Sequence, residues 1–182
     1  AKEVSIKMNN ESLIILRSTV KIGTTNFINE IISKKNKKFD IAFCPERTME
    51  GSAIKELETL PQIIGGLSKK ASLRSKEIFS KITRKSYIVS NAKTAEMIKL
   101  VDNSQRDLFF SYSNEVAISC DYLNINANEV INIGKKNYPR TNLFLPGPVG
   151  GPCLEKDPYI FVESLRKEKF FPKLTFYGRK NN

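Results

Sequence analysis

The period of apolar and polar positions changes along the chain, and each change marks an element. Residues 13–20, Leu-Ile-Ile-Leu-Arg-Ser-Thr-Val, are a branched and largely apolar run closed by Lys-Ile-Gly-Thr-Thr, the pattern of a buried strand ending in a turn. Thr24 or Thr25 is placed to cap a helix in which Phe27, Ile28, Ile31 and Ile32 recur at helical spacing. Residues 40–43 then return to strand character, which completes a β-α-β unit. Residues 62–64 predict a third strand ending at Gly65-Gly66, residues 69–82 a helix, and residues 86–89 a fourth strand. Residues 1–90 therefore read as α/β.

Past Asn91 the pattern becomes helical. No Pro or Gly occurs from residue 92 to 123, and Leu100, Val101, Leu108, Phe109, Tyr112, Val116 and Ile118 fall on more than one face of the implied helix. A helix this long with apolar residues on several faces is expected to pack against several neighbours or another subunit. Asn126 and Asn128 precede a shorter helix, with Gly134 expected as its C-terminal cap. Residues 138–158, Tyr-Pro-Arg-Thr-Asn-Leu-Phe-Leu-Pro-Gly-Pro-Val-Gly-Gly-Pro-Cys-Leu-Glu-Lys-Asp-Pro, carry too much Gly and Pro for a helix or a central strand and read as a binding loop. A last helix is predicted over 158–167.

Composition narrows the function classes. At 182 residues the chain is long enough for one good core or two small domains. Thirty Lys and Arg against nineteen Asp and Glu give a net charge of +11, which favours anionic partners such as nucleotides and diphosphates. The densest basic run, residues 34–38, follows a helical pattern and reads as a solvated helix end; the basic residues lack interleaved aromatics, which argues against nucleic-acid binding. No apolar run reaches membrane-spanning length, so no membrane association is expected. Three widely spaced cysteines make neither a disulfide framework nor a zinc site, and a reducing cytoplasm is the expected location. The absence of histidine removes the usual general base, leaving Cys, Lys, Asp and Glu to carry any catalysis, with no metal.

Four segments, in order along nearly the whole chain, resemble the UDP-glucose/GDP-mannose dehydrogenase family: Arg-Ser-Thr-Val-Lys-Ile-Gly-Thr-Thr from Arg17, the stretch from Phe43 to Gly66, Ala-Glu-Met-Ile-Lys-Leu-Val-Asp-Asn-Ser-Gln-Arg-Asp from Ala95 with Asn114-Glu115 further on, and Leu-Pro-Gly-Pro-Val-Gly-Gly-Pro-Cys-Leu-Glu-Lys-Asp-Pro-Tyr from Leu145. The pattern around Lys99 and Asn103 is most similar to the branch acting on UDP-N-acetyl sugars. The resemblance implies the second part of a Rossmann-like NAD-binding domain over 1–90, an all-α central dimerisation domain over 91–168 built on one long helix, and the start of a UDP-binding domain at 169–182. It also implies NAD as cofactor, a UDP-sugar as substrate, a homodimer, and oxidation of the sugar C6 hydroxyl to a carboxylate by two hydride transfers for cell-surface polysaccharide precursors.

Within that frame Cys153 is the expected nucleophile. Gly150 and Gly151 permit close approach of substrate, and a helix start lies a few residues on. Cys44 and Cys120 are expected to be small buried hydrophobes. Lys99 and Asn103, four apart on one helix face, suit an oxyanion; a solvated pair is the plain alternative. Asp157 precedes Pro158 and reads as an N-cap, while the resemblance gives it a role in activating water. The resemblance also places Thr19 beside the nicotinamide and the catalytic water, and Lys156 near the dinucleotide. Glu46 and Glu50 are carboxylates spaced to handle protons in hydrolysis, Glu50 also facing the cofactor; loop solubility explains them equally well. Tyr138, Arg140 and Asn142 are candidate ligands of the diphosphate-linked sugar. Arg106 and Asp107 extend the Lys99–Asn103 stretch, and a surface ion pair explains them equally well.

Two features depart from the family. No G-x-G-x-x-G occurs, and the C-terminal nucleotide-binding region is not represented, so the chain is expected to be a fragment and inactive alone. A non-enzymatic oligomerisation module is the alternative of another class.

Overall fold

The computed structural model describes residues 1–34 and 38–182, which divide into two compact units, Ala1–Lys99 and Leu100–Asn182. The middle of the basic run at 34–38 lies outside the described residues.

In the first unit the apolar runs become strands β1 (Ser12–Leu16), β2 (Phe39–Phe43), β3 (Gln62–Gly66) and β4 (Ser86–Ile88), hydrogen-bonded in that order. β1 and β2 are parallel and joined through α2 (Thr24–Ser33), the β-α-β unit that the spacing predicts. β3 pairs antiparallel with β2, and β4 lies parallel to β3 after α4 (Lys69–Phe79). Two short helices, α1 (Lys2–Lys7) and α3 (Ala53–Thr59), were not predicted. Alternation across the sheet builds the core: Ala42, Cys44 and Ile64 cluster with Phe79 on one face. Phe43 and Ile63 cluster with Ala92 and Ala95, from the start of the long helix α5 (Ala92–Tyr122), on the other. Each large side chain removed from water there contributes about 1.5–3 kcal/mol.

The glycine pair at the end of β3 is a packing requirement. A Cβ on Gly65 would stand 2.5 Å from the Asn91 carbonyl oxygen and 2.8 Å from Ala95 Cβ; one on Gly66 would stand 2.4 Å from Ser72 Oγ. Helices α4 and α5 can therefore begin against the sheet only where β3 has no side chains.

Three local expectations fail here. β1 stops at Leu16, because Arg17 turns the chain toward the loop after β2, where Glu46 N donates to Arg17 O at 3.1 Å. Neither Thr24 nor Thr25 caps α2: the cap position is Gly23 at φ +90°, and a side chain from α5 satisfies the helix start instead. Helix α4 ends at Phe79, three residues early.

The second unit is helical, as predicted after residue 91: the rest of α5, α6 (Ala127–Gly134), α7 (Gly151–Leu154), α8 (Asp157–Ser164), a 3-10 turn (Arg166–Glu168) and α9 (Lys173–Asn181). Asn126 caps α6 by accepting from the Asn128 and Glu129 amides. Gly134 is the last helical residue rather than the cap, which is Lys135; the left-handed position falls at Asn137, φ +56°. The loop expected over 138–158 contains one full turn of helix, α7, because Pro152 takes an early position where no amide is needed. Residues 169–182 contribute α9, which packs on α8 with Phe176 6.4 Å from Tyr159, ring centre to ring centre. Among the described residues no helix is long and apolar enough to cross a membrane.

Within this unit α5 buries Leu100 but also Asn103, Ser104, Asp107, Ser111 and Ser113, while Val101, Tyr112 and Ile118 are exposed. Its inward face is largely polar, which apolar periodicity does not reveal.

Candidate active site

In the first unit the loops leaving the parallel strands β1 and β2 lie together. Thr19 is half-buried, three residues beyond β1 rather than at its end. Glu46 follows Pro45 after β2 and pairs with the Arg17 guanidinium; it also accepts from the Arg47 and Thr48 amides at 2.9 and 3.0 Å. Arg17 is fixed in turn by Gln62 Oε1 at 3.3 Å and by the Phe79 ring, 4.9 Å from its guanidinium carbon. Burial pushes the Glu46 carboxyl up, but the Thr48 and Arg17 hydrogen bonds outweigh it and hold the group below its ordinary value. Glu50 is exposed, beside Gly51 at φ +84°. Burial pushes the Cys44 thiol up to about 12, against smaller pulls from Ser75 and Arg17, so it is an inert core residue, as expected.

At the start of α2, Glu96 of α5 is fully buried and accepts three bonds: from Gly23 N at 2.6 Å, Thr25 N at 2.8 Å and Thr25 Oγ1 at 2.6 Å. A carboxylate thus occupies the amides that an anion would need. A second strand-to-helix turn, at Gly65-Gly66-Leu67-Ser68, is bonded within the chain as well. Gly66 N donates to Ser72 Oγ at 3.1 Å and Ala71 N to Ser68 Oγ at 3.0 Å, and the chain's own atoms fill the space over both glycines. At the starts of α2 and α4, therefore, backbone amides that could meet the pyrophosphate of a dinucleotide are already bonded within the chain.

In the second unit the thiol is exposed. Cys153 is the third residue of α7, between Gly151, at φ +88°, and the buried Leu154. Only glycine adopts the Gly151 conformation without strain, so that position is dictated by the turn. Four residues on, Asp157 is fully buried, and both carboxylate oxygens are held: Asn103 Nδ2 donates to Oδ2 at 2.5 Å and Lys156 Nζ to Oδ1 at 2.8 Å. Asp157 is the first residue of α8 rather than its N-cap, which is Lys156; its side chain turns inward to Asn103 instead of back to the helix amides. Lys99 is half-buried one turn before Asn103 on α5.

Tyr138, Arg140 and Asn142 are all exposed; the Arg140 guanidinium stacks on the Tyr138 ring, 4.7 Å from its centre, and Nε donates to the Tyr138 hydroxyl at 3.1 Å. Asn114 fastens the following loop to α5, donating to Gly147 O at 3.1 Å and accepting from Gly147 N at 2.8 Å, with Phe144 stacked on Phe110.

Asp107 does not pair with Arg106 on the surface. It is buried and bonded to Arg179 of α9 at 2.7 Å. Burial pushes its carboxyl above the ordinary value even though Asn182 and Arg179 pull it down. Glu96, Arg17 and Arg179 were not singled out from sequence. The available signal was a spacing of four, four and three along α5, Asn103, Asp107, Ser111 and Asn114, which puts polar groups on one face of a helix otherwise read for apolar ones.

Comparison with known proteins identifies the family and the fold. Residues 1–83 match the NAD binding domain of the UDP-glucose/GDP-mannose dehydrogenase family, and residues 93–182 match its central domain. The chain is 39% identical over 164 residues to the UDP-N-acetyl-D-mannosamine dehydrogenase of Methanococcus maripaludis, covering 90% of this chain and 38% of that protein. It is 31% identical to the NDP-N-acetyl-D-galactosaminuronic acid dehydrogenase of Ralstonia solanacearum, over 90% of this chain and 42% of that one. The structure of the Pyrococcus horikoshii UDP-D-ManNAc dehydrogenase superposes on all of this chain and 44% of its own, with a TM-score of 0.91 at 32% identity. The chain spans between 36% and 43% of the length of the curated relatives it matches. Two adjoining domain matches to one family, together with agreement of fold and sequence over nearly every residue, show that the chain belongs to the UDP-glucose/GDP-mannose dehydrogenase family.

Proposed function

We propose that this chain carries the thiol centre of a nucleotide-sugar 6-dehydrogenase acting on UDP-N-acetylmannosamine or a related UDP-N-acetylhexosamine. One observation carries the reading: an exposed cysteine on a glycine-primed turn, four residues ahead of a buried aspartate held on both oxygens by Asn103 and Lys156. The relatives named above, acting on UDP-N-acetyl-D-mannosamine and on an NDP-N-acetyl-hexosaminuronic acid, support the sugar class.

Oxidation of the C6 hydroxyl removes a hydride and a proton and leaves an aldehyde. Cys153 Sγ then adds to the aldehyde carbon, forming the C–S bond of a thiohemiacetal, while its oxygen gains a proton. Loss of a second hydride and of that proton gives a thioester. Water attacks the thioester, the C–S bond breaks, and the acid and the free thiol are released. NAD, when bound, supplies the hydride acceptor for this chemistry; backbone amides at the starts of α2 and α4 are already bonded within the chain.

The chain's own groups have distinct tasks. Lys99 and the amide of Asn103 stabilise the oxyanion at C6. Asn103 is already committed to Asp157 on one side, which fixes its orientation without reorganisation. Asp157 and Glu46 serve the water step, with Glu46 kept ionised by Arg17 and Thr48. Thr19, Glu50 and Lys156 are assigned to the cofactor, and Gly150, Gly151, Tyr138, Arg140 and Asn142 to the sugar nucleotide. Exposed apolar residues around the α5–α6 turn, Ile118, Tyr122, Leu123 and Ile133, support self-association as a homodimer. Free thiols at all three cysteines support a reducing, cytoplasmic setting.

The test is the stoichiometry of NADH formed per UDP-N-acetylmannosamine consumed by the longest continuous reading frame that contains this sequence, with and without Cys153→Ser. Two NADH per sugar, with turnover in the variant reduced at least about a hundredfold, is the expected result. Full turnover by a correctly folded Cys153→Ser protein would remove the thiol mechanism.

A further inference from the structure

Helix α9 reaches back to the cysteine turn through one side chain. Arg179 is only 8% exposed and spends its guanidinium on three acceptors: Nη1 donates to Asp107 Oδ1 at 2.7 Å and to Leu154 O at 3.3 Å, and Nη2 donates to Val149 O at 3.2 Å. Val149 and Leu154 bracket Gly150-Gly151-Pro152-Cys153. One rigid fork therefore closes both ends of the turn that presents the thiol, and its back is fixed to α5 by a buried carboxylate. Glycines give that turn conformational freedom, so something must restrain it if Sγ is to stay in one place. Within the turn, the bond from Gly151 N to Glu155 Oε1 at 3.2 Å is made at the surface, where water competes.

We propose that Arg179, held by Asp107, is a positioning residue for Cys153: it sets the position of the thiol by clamping Val149 O and Leu154 O. The role in catalysis rests on the thiol reading above, but the clamp itself does not. A planar fork is required, because the carbonyls on either side of the turn must be met by separate N–H groups of fixed separation. Arg179→Lys keeps the charge facing Asp107 but presents one nitrogen, which cannot span both carbonyls. Asn181 provides the control. It ties α9 to α5 through Ser111, donating to its carbonyl and hydroxyl at 3.3 and 3.1 Å, and makes no bond to the turn.

The experiment is electron paramagnetic resonance of a methanethiosulfonate spin label on this chain. Cys153 is the exposed thiol and Cys44 and Cys120 are buried, so native labelling selects the turn. In the unsubstituted chain the spectrum should be dominated by a motionally restricted component. Arg179→Lys should convert it to a mobile one, whereas Asn181→Ala should leave it restricted, with circular dichroism confirming that both variants retain their helices. In Arg179→Ala, low millimolar guanidinium should restore the restricted component, a rescue that general loss of α9 docking would not show. A restricted spectrum in folded Arg179→Lys, or an equal loosening in Asn181→Ala, would overturn the clamp. Because the readout needs no substrate, it stands or falls apart from the Cys153→Ser turnover test.

Discussion

Cys44 and Glu46 flank Pro45 at the end of β2, and their surroundings push them in opposite directions. The thiol is enclosed by apolar side chains and stays protonated, while the carboxyl sits among donors and stays ionised. In the second case Arg17 adds to the pull of the Thr48 amide, so Arg17→Gln should raise the Glu46 pKa toward the ordinary carboxylate value, read from the carbon-13 chemical shift of its side-chain carboxyl against pH. The sign follows from the depressed folded-state value. Stability gained from Glu46 is present above the unfolded-state pKa and is lost as pH falls through the lower folded-state pKa, so Arg17→Gln should narrow the difference in stability between neutral and acid pH. No upward shift would mean that the Thr48 amide alone holds the anion. Of these facts the sequence announced the buried Cys44 and the Glu46 carboxylate, but not the partners of the carboxylate. The Arg17–Glu46, Glu96–Thr25 and Asp107–Arg179 pairs join residues 29, 71 and 72 positions apart, and no local period reports a partner so distant. Cys153 and its glycines were legible because one turn contains all of them.

At the scale of elements, what periodicity could see it placed well: the four strands, the long helix and the Asn126 cap all follow from side-chain order over short windows. The missed helices are short: α1, α3 and α7 have too few residues for a helical period to show, and α9 is held by its packing on α8. The start of α2 is likewise held from outside, since its cap comes from α5. Glu96→Gln tests that dependence. The amide oxygen still accepts from Thr25, but an NH2 group then faces the Gly23 amide, donor against donor, in a fully buried site. A loss of about 1–3 kcal/mol in unfolding free energy is expected from urea titration, the cost of a buried group left unpaired. A change within experimental scatter would show that the helix start finds other acceptors.

For the whole molecule, charge and architecture pull toward different expectations about the dinucleotide. A net charge of +11 attracts any polyphosphate, but attraction is spread over the surface and weakens with salt, whereas a pyrophosphate site needs unoccupied backbone amides converging at a helix start. Of the four strand-to-helix turns, three have amides already bonded at the helix start: the one before α2 to Glu96, the one before α4 to Ser68 and Ser72, and the one before α5 to Asn91. On the reading proposed above, the loops after β1 and β2 meet only the nicotinamide end, which alone contributes little affinity. Isothermal titration of this chain with NAD should therefore give no saturable binding below about 1 mM at physiological ionic strength. At low salt a weak, non-saturating heat should appear that disappears as salt is added. Saturation at high salt would mean that a dinucleotide is held by contacts other than the bonded helix starts, and that these residues bind it without help from elsewhere.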